Sequence, residues 1–383
     1  MDFNLTEEQK MLQSSVREIA LMDISPRASD LDSYTLFPYE GFKALSEADL
    51  MGMLVPPPYG GAGSDVVSYL IVTQEIARYC ANTALVFVTQ QACEVALLRG
   101  GQEALKQRWL PLLAKGEKVA AFAATEPDAG ANVLATQTTA QAQGDSYTVN
   151  GTKVYITSAD DAELYLTLVR TSPAPGPQSL SLLAIEKDRP GVSFGRKFIR
   201  MGLNGSSNGE VIFTNCQVPK ANLLGLEGGY MPLAMAILGV GMLGVSAIAV
   251  GLAQAALEES ISHGKKRVVA GQPLGNYQGV QFMVSEMSAL VEAGRAALYQ
   301  AGCAQQSAPP GLPLHAIKAK LFTTEMALRV TDLALQVHGG AGYTKEMPVE
   351  RLYRDARGLT LHFGVTEPLK ELLGRALMGL LPG

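Results

Sequence analysis

Ser146-Tyr147-Thr148-Val149-Asn150-Gly151-Thr152-Lys153-Val154-Tyr155-Ile156-Thr157 is the stretch whose reading decides the fold class. β-Branched and aromatic residues fill both halves, and such side chains suit a pleated, half-buried surface. Asn150-Gly151 between them is the strongest short hairpin signal, because both residues tolerate the positive φ angles of a two-residue turn. Two strands joined at 150–151 are therefore expected. Leu180 to Ile185 and Glu210 to Phe213 read as further strands, and Thr171 to Ser179 is a proline-rich loop inside this β region.

On both sides of this β region the texture is helical. Thr6 followed by Gln9 is a capping-box pattern, after which Leu12, Val16 and Ile19 recur at helical spacing. Val55-Pro56-Pro57-Pro58-Tyr59-Gly60-Gly61-Ala62-Gly63 is a loop by composition, and Val66 to Tyr79 resumes the helical pattern. Helical texture returns after Leu224 and is broken by a Pro/Gly loop around Ser307-Ala308-Pro309-Pro310-Gly311. The order helical, β, helical is an α+β pattern, distinct from the strand-helix alternation of a doubly wound sheet. Domains are expected at 1–117, 118–225 and 226–383.

The chain has 383 residues, 47% of them hydrophobic and 17% charged, enough to build a large buried core. A net charge of -5 with no long Lys/Arg run argues against nucleic acid or an anionic membrane as partner. Cys80, Cys93, Cys216 and Cys303 are widely spaced, without a C-x-x-C pair, so no metal site and no disulfide framework is expected. Met1-Asp2-Phe3-Asn4 lacks the basic and apolar regions of a signal peptide, and a cytoplasmic location is expected.

Tyr230 to Leu257 carries no charged residue and is long enough to cross a bilayer. Gly239, Gly241, Gly244, Gly251, Pro232, Ser246 and Gln254, with no second apolar segment, favour instead a helix buried in a core or subunit interface. Within it, Gly239-Val240-Gly241-Met242-Leu243-Gly244 matches the dinucleotide fingerprint G-x-G-x-x-G. The run before it is helix-favouring where the fingerprint needs a strand, so the glycines are read as close-packing residues.

Four motifs occur in a telling order: Ala124-Thr125-Glu126-Pro127-Asp128-Ala129-Gly130; Asn150-Gly151-Thr152-Lys153-Val154-Tyr155-Ile156-Thr157; Arg267 with Gly271, Pro273 and Gln278; and Gln336-Val337-His338-Gly339-Gly340-Ala341-Gly342-Tyr343, followed by Glu350-Arg351 and Arg354-Asp355. Together they resemble the T-E-P-x-A-G, N-G-x-K-x-W-I-T, R-x-x-F-G-x-P-x-x-x-F-Q and Q-x-H-G-G-x-G-Y motifs of the acyl-CoA dehydrogenase family across nearly the whole chain. The resemblance implies an N-terminal helical domain, a middle β-barrel-like domain and a C-terminal four-helix bundle. It also implies FAD as cofactor, an acyl thioester of CoA or a carrier protein as substrate, a homotetramer, and an electron-transfer flavoprotein as acceptor if the reaction is oxidative.

By the same resemblance FAD would be held by Phe122, Ala124, Thr125, Tyr155, Ile156, Thr157, Arg267, Gln278, Gln336, Gly339, Gly340, Thr366 and Glu367. Arg267 would reach the pyrophosphate across a subunit boundary, a task suited to a guanidinium fork. Gly339 and Gly340 would allow close backbone approach. Ala131, Met242, Phe363 and Gly364 would border the substrate. Glu126 and His338 are read as structural.

The chain also departs from the pattern. Leu361-His362-Phe363-Gly364-Val365-Thr366-Glu367 stands where the family reads I-Y-E-G-T, so Phe363 occupies the position of the catalytic glutamate and cannot accept a proton. The family's second location for the base corresponds to Gly241 and Met242. Asn204 replaces a usual arginine, Ala131 a serine, and Ala270 an aromatic residue. Phe363 keeps a backbone N–H able to polarise a thioester carbonyl, and His362 and Glu367 are the nearest candidate replacement bases, with Glu367 read rather as a cofactor contact. An oxidoreductase with altered base chemistry is expected. A non-oxidative, desulfinase-like lyase with FAD in a non-redox role and a catalytically silent FAD-binding protein stand as alternatives.

Overall fold

The capping box written into Thr6 and Gln9 is present: Gln9 N–H donates to the Thr6 hydroxyl and the Gln9 side chain accepts from Thr6 N–H, both at 3.2 Å. It opens α1 (Glu7–Ile19), followed by α2 (Ala28–Tyr34), α3 (Tyr39–Glu47), α4 (Val66–Tyr79), α5 (Ala81–Gly100) and α6 (Glu103–Ala114). The computed structural model describes residues 5–307 and 311–380, so part of the expected 307–311 loop lies outside the described residues.

A β region follows, with β1 (Ala120–Ala123), β2 (Thr139–Gln143), β3 (Ser146–Thr157), β4 (Leu164–Arg170), β5 (Leu180–Glu186), β6 (Val192–Lys197), β7 (Asn208–Pro219) and β8 (Leu223–Leu224). They form one mixed sheet in the order β6-β7-β3-β2-β4-β5-β8, with β1 parallel to β4. In β4, Leu164, Leu166 and Leu168 face one core while Tyr165 and Val169 face another. Such a strand is buried on both faces and therefore reads as an unbroken apolar run.

The hairpin expected at Asn150-Gly151 is not formed. β3 runs straight through these residues, and its turn to β2 falls at Gly144, φ 57°. Asn150-Gly151 instead mark an irregularity in the pairing of β3 with β7, between Val149 and Gly151. Asn150 uses its side-chain amide on Asn215, accepting from its N–H at 2.8 Å. A Cβ at Gly151 would stand 2.4 Å from the Thr138 hydroxyl, so glycine is required by close packing and not by a turn.

The C-terminal part comprises α7 (Tyr230–Lys266), the two-residue strands β9 (Val268–Val269) and β10 (Gln272–Pro273), α8 (Gln278–Ser307), α9 (Leu314–His338), α10 (Pro348–Leu359) and α11 (Thr366–Leu377). The uncharged stretch is one helix with 78% of its most apolar window buried, a core helix packed against α4, α5, α8 and α9. The fingerprint-like glycines lie inside it. A Cβ at Gly244 would meet the Tyr69 hydroxyl at 2.2 Å, so helix packing explains them.

α10 is pinned to both other parts of the chain. Arg354 pairs with Asp32 and Glu350, each at 2.7 Å, and Asp355 accepts from Leu203 N–H at 2.6 Å. The E-R…R-D motif thus docks the β region and α2 just ahead of the loop bearing Phe363. Asn204 donates to Asp32, and Asp355 has no ion-pair partner among the described residues. Burial pushes the Asp355 carboxyl up to about 7.

Candidate active site

A buried ion pair builds one wall. Lys153 Nζ, on β3, donates to Glu126 at 2.7 Å and to the Ala124 carbonyl at 3.1 Å, and Val154 N–H donates to Thr125 O at 2.9 Å. Glu126 also accepts the N–H groups of Gln137 and Thr138. Burial resists ionisation of Glu126, yet Lys153 and these donors hold its carboxyl below the usual range, while burial pulls Lys153 down to about 8. Glu126 is therefore structural: it brings Ala124-Thr125 alongside Tyr155-Ile156-Thr157.

Between Lys153 and Ile156 the pairing of β3 slips again, and Tyr155 adopts φ 58°. This bulge turns Tyr155 outward, 61% exposed, while Val154 and Ile156 on either side stay buried. Ile156 can therefore offer a ligand only its backbone. The Tyr155 ring lies 4.7 Å from that of Phe198, centroid to centroid, and Arg196 covers Phe198. Phe198 escaped the sequence reading because it lies past β6, outside every motif.

The second part of the candidate site is the loop between α10 and α11. Phe363 has φ 49° and Gly364 φ 109°. The Phe363 ring lies on α7 at Gly241, where a Cβ would stand 2.0 Å from Phe363 Cδ1. Phe122, Ala124, Val133 and Val240 pack, half-buried, on the same cluster as Phe363. Met242, expected beside the substrate, is 1% exposed and points into the core, since one helical residue step rotates it about 100° away from Gly241. Ala131 is exposed on the loop after Glu126. Phe363 N–H has no acceptor among the described residues.

His362 donates from Nδ1 to Gly358 O at 2.8 Å, and burial, assisted by Arg200 and Lys320, lowers its pKa to about 4. A neutral imidazole so reluctant to take a proton is a poor general base. Thr366 is buried and caps back to Thr360 O at 3.3 Å, while Glu367 is exposed in the first turn of α11. Lys320 on α9, unremarked in the sequence, is completely buried and donates to Gly364 O at 2.6 Å.

Arg267, Gln278, Gln336, Gly339 and Gly340 gather elsewhere, all exposed at the far end of the bundle. His263 stacks on His338 with centroids 4.3 Å apart, joining the ends of α7 and α9. His338 is 4% exposed, its Nδ1 bonded to Ala334 O, and is packed as expected. Gly241 lies about a third of the way along the 37-residue α7 and Arg267 caps its C-terminus, roughly 40 Å apart along the axis. No single ligand of ordinary size spans both groups within one chain.

Three family models match this architecture in order: acyl-CoA dehydrogenase N-terminal domain over residues 6–117, middle domain over 121–216, and C-terminal domain over 229–378. The chain belongs to the acyl-CoA dehydrogenase family. An acyl-CoA dehydrogenase of Bacillus subtilis (strain 168) is 37% identical over 98% of this chain and 99% of its own. The butyryl-CoA dehydrogenase of Megasphaera elsdenii superposes with TM-score 0.95 at 33% identity, covering 99% of this chain and 100% of that one. The prolyl acyl carrier protein oxidase AnaB gives TM-score 0.92 at 28% identity, over 98% and 100% of the chains. As an acyl-CoA dehydrogenase family member, the protein has relatives that are flavin-dependent oxidoreductases acting on CH–CH groups.

Proposed function

We propose that this protein binds FAD and an acyl thioester, and that the proton chemistry of its reaction does not come from position 363. The observation that carries this reading is the Phe363 loop: a backbone N–H without an acceptor among the described residues, beside an aromatic ring closed over Gly241. Such an N–H stabilises a developing enolate oxygen, whereas neither Phe363 nor Gly241 can move a proton. His362, held neutral with Nδ1 committed to Gly358, does not replace the missing carboxylate.

The residues present suit FAD. The bulge that exposes Tyr155 beside Phe198 gives an outward aromatic surface, flanked by Thr125 and Thr157 whose hydroxyls can bond a flavin edge. When bound, FAD supplies a hydride acceptor or, in a non-redox role, hydrogen-bonding surface. Arg267, Gln278, Gln336, Gly339 and Gly340 would serve the FAD of a second copy, because roughly 40 Å of α7 separates Arg267 from Gly241 and the Phe363 ring within one chain. That arrangement fits the proposed homotetramer, as does a cytoplasmic setting with an electron-transfer flavoprotein as acceptor for an oxidative reaction. Acyl-CoA and carrier-protein thioesters both remain within the substrate class, in keeping with relatives of both kinds.

The ring over Gly241 specifically favours a second reading, a desulfinase-like lyase whose substrate loses a group other than the α-proton. Anaerobic mixing with a panel of acyl thioesters separates the two. Flavin bleaching supports dehydrogenation, and product without bleaching supports the lyase. Neither across the panel supports a silent FAD-binding protein. A preparation that neither retains nor binds FAD would refute the proposal at its root.

A further inference from the structure

We propose that Lys320 is a positioning residue whose ammonium clamps the Thr360–Val365 loop, through the carbonyls of Gly364 and Thr360, so that the Phe363 N–H is held toward the substrate carbonyl. The second half of this statement rests on the thioester reading above.

The geometry is unusual for a lysine. Lys320 is fully buried on α9 with no carboxylate in contact among the described residues, and its Nζ reaches Gly364 O at 2.6 Å and Thr360 O at 3.5 Å. A charge placed there is costly unless its protons are used, and here they are used on main-chain carbonyls at both ends of one short loop. That loop holds two consecutive residues in the positive-φ region, one of them a phenylalanine. A non-glycine residue there is strained and persists only where its surroundings over-determine it. Thr366 N–H and hydroxyl also converge on Thr360 O, completing the anchorage.

Burial lowers the Lys320 pKa to about 8, against the attraction of Glu367 on α11. His362 in the same loop feels the lysine in turn and is itself neutral above pH 6.5. The clamp therefore weakens as pH rises through about 8, because a neutral amine forms weaker hydrogen bonds than an ammonium.

The test compares purified, flavin-loaded wild type with Lys320→Met. In the variant, amide hydrogen exchange at 361–364 is expected to accelerate at least tenfold with FAD content unchanged. Butyryl-CoA binding, read by flavin absorbance, is expected to weaken about ten- to hundredfold, the worth of one charged hydrogen bond. Wild-type affinity should fall as pH rises through about 8, and the variant's should not. Unchanged loop exchange, or the same pH profile in both proteins, overturns the proposal. Accelerated exchange in a protein whose wild type does not bind butyryl-CoA rejects the thioester reading and keeps the clamp. Should Lys320→Met not fold, Lys320→Gln and the wild-type pH profile decide the matter by the same criteria.

Discussion

The Phe363 ring rests on the backbone of α7 at Gly241, so closely that a Cβ at 241 would lie 2.0 Å from Cδ1. Each of the two positions read as sites for a base in this family is filled in a way that depends on the other. The aromatic ring needs the glycine, and the glycine leaves a gap that only a large side chain fills.

Gly241→Ala sets two effects against each other. A mid-helix alanine gains about 1 kcal/mol of propensity, while overpacking against Phe363 costs typically 1–3 kcal/mol. Net destabilisation is expected in urea unfolding. In a Phe363→Ala background the same change should become stabilising, and additivity of the two substitutions would contradict the contact.

Lys153→Met should cost about 3 kcal/mol or more, since it strands Glu126 as an uncompensated buried carboxylate. Adding Glu126→Gln should recover much of that loss, because the amide oxygen can still accept from Gln137 or Thr138. Thermal unfolding of the single and double variants measures the difference. Equal losses in both would remove the ion pair from the account.

His362 has a folded-state pKa near 4, below its unfolded value near 6.5. The stability linked to this depression is present above pH 6.5 and is lost as pH falls to 4, on the order of 3 kcal/mol. His362→Gln should abolish that loss. The same variant should keep most of any turnover, since the imidazole is not the base; a collapse of kcat with an altered pH profile would reverse this assignment.

Asp355 works in the opposite sense over the same interval. Its folded-state pKa, raised to about 7, makes its contribution full below pH 4 and lost as pH rises through 7. Asp355→Asn, which retains an acceptor for Leu203 N–H, should remove this decline. The wild type should show a flatter pH-stability curve between 4 and 7 than either His362→Gln or Asp355→Asn.

The α+β order, the start of α1, the extent of α4 and the burial of the uncharged helix were legible because periodicity and capping are local signals. The turn at Asn150-Gly151 was misread because the same dipeptide also suits a strand that must pass within contact distance of Thr138. Such an approach is a tertiary fact with no local mark. The helical glycines were recognised as packing residues, but not the partner each accommodates. Lys320 was invisible: a lysine among alanines on a helix reads as a solvent-facing charge until the loop folding over it is known. Met242 is buried about 100° around the helix from Gly241, a difference of one residue step that spacing alone does not reveal.

The left-handed turn at Phe363 separates holding from reacting. Its shape is set by main-chain carbonyls gripped from α9 and by the glycine at 364, none of which involves the side chain at 363. A substitution at 363 leaves these main-chain bonds in place, so side chains of different chemistry can be carried on one loop course.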